Sequence, residues 1–184
     1  MKTIKTINHT KSLISLALFQ LMLKHEYNDI TVKDICNKAG VSRMSFYRYY
    51  DKKDDIFVDF CDARFEEFYV EYLNHKNITV EEFTISTFYF FKKYARQLGI
   101  LRKAGKEQIL IEQFNGYAKF LMIHSPSKEV QQLFYNQVVA PFLAGGLFNL
   151  LMNWLNTGME KSPEEMTQAL LSIPSVLIEN EKNK

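Results

Sequence analysis

The chain has 184 residues, 47% of them apolar and 24% charged, which is length enough for a full core and a composition unlike that of disordered or fibrous proteins. Its two cysteines rule out a disulfide framework, and seven Gly with four Pro favour helix throughout. The net charge of +2 hides an asymmetry: residues 1–55 hold ten Lys and Arg against six Asp and Glu, whereas residues 56–184 hold thirteen against fifteen, so the basic excess that a polyanion would meet is confined to the N-terminal end.

Taken in order, Asn8 or Thr10 is the expected cap of a first helix with Leu13, Ile14, Ala17, Leu18, Leu21 and Met22 at helical spacing. Lys2 and Lys5 are followed by no continuous apolar run before His9. No signal peptide is expected, and the chain is expected to be cytoplasmic. The segment His25–Asp29 ends the first helix. The stretch Thr31–Phe57, TVKDICNKAGVSRMSFYRYYDKKDDIF, then compresses two short helices and a turn into some twenty residues. Thr31 suits an N-cap, and Val32, Ile35 and Cys36 give one apolar face. Gly40 suits the left-handed closure of a helix, Val41 can fold into the angle, and Ser42 caps the second helix. On that helix Phe46 and Tyr50 are four apart and face the core, which leaves Arg43, Met44, Ser45, Tyr47, Arg48 and Tyr49 outside. Guanidinium forks, phenols and hydroxyls are the groups that read base edges and phosphate oxygens. Polar-faced short helices are common, so that face alone does not decide for DNA.

A long amphipathic helix is expected from Asp51 or Lys52 through Ile56, Phe57, Phe60, Cys61, Phe65, Phe68, Tyr69 and Leu73, with Lys53 in its first turn, where ammonium and helix N-terminus together favour a phosphate. Cys36 and Cys61 sit on apolar faces and read as small core residues of a reducing compartment. The best linker is His75–Ile78. Thr79 with Glu82 forms a capping box for a helix carrying Phe83, Phe88, Phe90, Phe91 and Tyr94. Gly99 and Gly105 bracket a short piece, another helix runs from Ile109 to Ile123, and Pro126 marks its end. From Val130 to Met159 there is no charged side chain, a length that could span a bilayer. Seven Gln and Asn residues and Pro141 interrupt it, so one helix buried on several sides is expected instead. Ser162-Pro163-Glu164-Glu165 opens a last helix through Met166, Leu170, Ile173 and Leu177, with Pro174 as a kink or stop. The expected fold is all-α with eight or nine helices and no strands: a basic three-helix domain over 1–52 and a helical domain over 53–184.

Thr31-Val32, Ile35-Cys36, Ala39-Gly40-Val41-Ser42, Phe46-Tyr47, Tyr49-Tyr50, Lys53 and Asp55-Ile56 together resemble the helix-turn-helix of the tetracycline-repressor (TetR) family. Met44 stands where the family often has a small residue, Tyr49 where His is frequent, and Glu26 where a glycine is common. The resemblance implies that Thr31, Ser42, Tyr47, Tyr49 and Lys53 contact phosphates and that Arg43, Met44, Ser45 and Arg48 lie nearest base edges. It also extends to FLAGGLFNLLMNWLNTGMEKSPEEM, which looks like the end of such regulators, where the last two long helices pair with those of a second subunit. Phe142, Leu147, Leu151, Trp154, Met166, Leu170 and Ile173 are the expected interface of that homodimer, matched to a palindromic operator. A cavity among the middle helices for an apolar or aromatic small-molecule effector is implied too, with Phe91, Tyr94, Phe114, Tyr117 and Phe148 as its expected lining. Aromatic stripes at helical spacing are more often plain core.

Catalysis has no support in the motifs. There is no Gly-rich phosphate loop, no H-E-x-x-H, no paired C-x-x-C and no nucleophile elbow, and His9, His25, His75 and His124 are scattered. No cofactor or metal is expected. The reading is a DNA-binding transcriptional repressor under effector control. Its rival is a related module whose C-terminal body binds a partner protein instead.

Overall fold

The computed structural model describes residues 2–73, 78–125, 127–135 and 139–172. The expected linker residues 75–77, Pro126, Ile173, Pro174 and the C-terminal tail lie outside them. Among the described residues there are ten α-helices and no strand: α1 Lys2–Met22, α2 Val32–Ala39, α3 Arg43–Tyr47, α4 Asp55–Leu73, α5 Val80–Lys93, α6 Ala95–Lys103, α7 Glu107–His124, α8 Lys128–Tyr135, α9 Val139–Asn156 and α10 Pro163–Leu171, with a 3-10 turn at Tyr27–Asp29.

By packing, the chain forms two compact units. The first takes in Met1–Glu66 and Arg96–Gln113, the second Glu67–Ala95 and Phe114–Lys184. In the first, α1 lies on α2 and α2 on α3, around a core of Ile14, Leu18, Ile35, Phe46, Ile56 and Phe57, all fully buried. Phe19 adds ring contacts to Phe57 and Phe60. In the second unit α5 packs on α10 and on α8, and α8 on α9, with Phe88, Leu151 and Trp154 among the buried side chains.

Several boundaries differ from expectation for identifiable reasons. Helix α1 starts at Lys2, not at a cap formed by Asn8 or Thr10, because residues 2–7 contain no glycine or proline to stop it. Helix α4 starts at Asp55. The Asp55 carboxylate accepts the N–H groups of Asp51 and Lys52, both at 2.9 Å, which holds those residues in the preceding turn and leaves Lys53 outside the helix. Gly99 is no break, since α6 runs through it. Gly105 does end that segment, at φ 69°. Among the described residues the uncharged stretch falls in two helices, α8 and α9, with residues 136–138 between them outside the description. Pro141 sits in the first turn of α9, where a missing N–H costs little. That division, with α6 complete, raises the count above the eight or nine expected.

Candidate nucleic-acid interface

Local chemistry builds the two short helices. The Thr31 side chain accepts the Asp34 N–H and the Asp34 carboxylate accepts the Thr31 N–H, a closed capping box. The Thr31 hydroxyl also donates to Asp34 Oδ2 at 2.5 Å. Those bonds from the Thr31 hydroxyl and backbone N–H hold the Asp34 carboxyl below its usual range. Asp34 is the signal that sequence reasoning passed over, since an acid three residues after Thr31 was visible in the chain. At the other end of α2, Gly40 takes φ 67°, and Val41 donates to the Cys36 carbonyl at 3.0 Å, so the chain turns sharply into Ser42. Ser42 caps α3 through the Ser45 N–H at 3.0 Å and shares a 2.9 Å hydroxyl contact with Ser45.

Helix α3 divides as its spacing predicts. Phe46 and Tyr50 are buried, with ring centroids 5.5 Å apart, and the Tyr50 hydroxyl donates to Asp59 Oδ2 at 2.9 Å. Lys11 of α1 pairs with the same carboxylate, which ties α1, the end of the α3 segment and α4 together. Burial, then Asp59, pushes the Tyr50 phenol well above its ordinary range, so it stays a neutral donor. On the outer side, Arg43 and Arg48 are exposed, Met44 is 79% exposed and Tyr47 49%. Ser45 and Tyr49 are half-buried. The Arg43 guanidinium lies 5.9 Å from the centre of the Tyr47 ring, so the fork is steadied at the surface by a cation–π contact.

Lys53 is placed differently from expectation. Its ammonium donates to the carbonyls of Tyr27 at 2.6 Å and Ile30 at 2.8 Å, with the Asn28 carbonyl at 3.5 Å, and it stands 4.1 Å from the Tyr27 ring centre. An ammonium has three donors, and these carbonyls occupy them. Desolvation lowers its pKa. Beside it, Asp54 accepts from the Tyr27 hydroxyl and from the Lys106 ammonium at 3.0 Å, and Lys106 lies 4.5 Å from the same Tyr27 ring. Burial works to raise the Asp54 carboxyl, but the bonds from Tyr27 and Lys106 outweigh it and the net shift is downward. Lys53 therefore anchors the turn that leads into Thr31. Lys53→Ala is expected to lower stability by about 1.5–3 kcal/mol, the range for hydrogen bonds to a charged group. The slope of log affinity against log salt should stay unchanged, because no phosphate contact is lost. Thermal melts and DNA titrations at four salt concentrations would measure both; a shallower slope would return Lys53 to the phosphate ligands.

Residues 14–60 match the family described as bacterial regulatory proteins, tetR family. Residues 78–174, more than half of the chain, match a transcriptional regulator C-terminal region. The chain belongs to the TetR family. It is similar in fold to the crystal structure of a TetR transcriptional regulator from Streptococcus agalactiae 2603V, with a TM-score of 0.62 over 94% of this chain and 97% of that one at 19% identity. None of the curated proteins compared with the chain matches it.

For a TetR-family chain the remaining expected residues divide unevenly. Phe91 meets Phe114 edge-on at a centroid distance of 6.5 Å, and Phe114 meets Phe148 at a tilt at 5.8 Å. Tyr94 turns its hydroxyl to Glu67 Oε2 at 2.5 Å, and Tyr117 is half-buried on α7. A cleft of about 410 Å³ lies elsewhere, between the apolar Phe68, Ile78 and Phe90 and the polar Glu71, Ser86 and Tyr89, and includes none of those five. Of the expected interface, Phe142 is 77% exposed, whereas Leu151, Trp154 and Met166 are buried within their own chain. Leu147 and Leu170 are half-buried. Among the described residues no group of side chains could hold a metal ion, and no helix is long and apolar enough to cross a membrane.

Proposed function

We propose that this TetR-family regulator is a cytoplasmic repressor, in which residues 1–52 of each subunit of a homodimer read one half of a palindromic operator in double-stranded DNA and the domain over 53–184 takes a small apolar or aromatic effector. The observation that carries DNA reading is the division of α3: Phe46 and Tyr50 are committed to the core while Arg43, Met44, Tyr47 and Arg48 face solvent. Arg43 and Met44 are assigned to base edges, with Ser45 and Arg48 at their margin. Tyr47 and Tyr49 are assigned to phosphates. Thr31 and Ser42 have hydroxyls already engaged in caps, and they serve a phosphate by exchanging those bonds. Lys53 acts through the turn it anchors.

Effector control needs a path to that surface. The Tyr27–Asp54–Lys106 cluster offers one within the first unit, since Lys106 directly precedes α7, the helix that carries Phe114 and Tyr117. An effector bound beside α7 would favour one setting of that cluster and so shift the population of DNA-competent heads.

Arg43→Ala is expected to cost about 1–3 kcal/mol of operator affinity and to narrow the gap between operator and scrambled duplex. Fluorescence anisotropy on both duplexes tests this. Unchanged affinity for both would remove Arg43 from the reading face.

A further inference from the structure

We infer that each operator half-site contains a thymine whose C5-methyl is read by Met44, next to or one step from a guanine read by Arg43. This inference rests on the DNA reading above and narrows what the regulator reads. Met44 is 79% exposed, and it stands on the outward face of α3 between Arg43 and Ser45. A thioether donates no hydrogen bond and accepts only weakly. It cannot use the donor and acceptor pattern of the major groove; the one apolar feature offered there is the thymine methyl. Met44 has the flexible, polarizable chain that fits itself to such a contact.

The neighbours narrow the choice further. Arg43 is steadied by the Tyr47 ring at 5.9 Å, which leaves a planar fork suited to O6 and N7 of guanine. The Ser45 hydroxyl is shared with Ser42 at 2.9 Å, so it is already engaged beside Met44. Consecutive residues of a helix point about 100° apart, so Arg43 and Met44 address different base pairs and not opposite edges of one.

The test uses full-length protein and a duplex selected from a random library. Each thymine of the selected half-site is replaced singly by deoxyuridine, which removes the methyl and keeps every hydrogen-bonding group. One position per half-site is expected to lose affinity about fourfold with the wild-type protein, the effect of one buried methyl. The same replacement should leave Met44→Ala unaffected, provided that variant retains the wild-type helical signal and melting temperature. A 7-deazaguanine at the adjacent or next base pair should lower wild-type affinity about tenfold and leave Arg43→Ala unaffected. No deoxyuridine effect, or an equal one in wild type and Met44→Ala, would overturn the inference while operator binding stands. Failure to enrich any duplex would remove the DNA-reading assignment itself, and this inference with it.

Discussion

Phe46→Ala is expected to destabilise the DNA-reading unit by about 3–5 kcal/mol, the usual cost of emptying a phenylalanine site in a packed core. Phe46 is fully buried and meets Tyr47 edge-on at 5.3 Å and Tyr50 at 5.5 Å. Helix α3 has five residues, far too few to hold helical shape by its own hydrogen bonds. Its geometry comes from this anchor and the Ser42 cap. Loss of the ring should therefore remove operator binding together with stability, although Phe46 itself faces away from solvent. Urea unfolding alongside DNA titration would show it, and Phe46→Leu should recover most of both. An alanine variant with an unchanged melting temperature would contradict the assignment of Phe46 as the anchor.

Trp154→Ala carries the second large effect, also about 3–5 kcal/mol, and it separates two roles for α9. The side chain is 2% exposed, its ring meets Phe88 edge-on at 5.5 Å, and its indole N–H donates to the Lys161 carbonyl at 3.0 Å. Those contacts are made within one chain. The loss should then be the same at every protein concentration, whereas a side chain shared between subunits would show a deficit that changes with concentration by mass action. Melting curves across a hundredfold dilution decide. A concentration-dependent deficit for Trp154→Ala, matched by one for the exposed Phe142→Ala, would assign Trp154 to the interface after all.

Cap by cap and turn by turn, the sequence by itself determined the helical class and the reading head. Thr31, Gly40, Ser42, the Thr79–Glu82 box and the Ser162–Glu165 box act over three or four residues, so the pattern that encodes them is contiguous. The inward pair Phe46 and Tyr50 follows from helical period alone. Tertiary structure decided the rest. The partners of Lys53 are 23 to 26 residues away in the chain, and Asp54 meets Lys106 at a separation of 52; no local pattern distinguishes such a lysine from a free phosphate ligand. Helix α9 is apolar on more than one side, so periodicity could not say which side its own chain would cover. Packing against Phe88 and the loop at Lys161 settled that for Trp154, because a side chain's direction around a helix is set by sequence, but what lies opposite it is set by how helices distant in the chain come together.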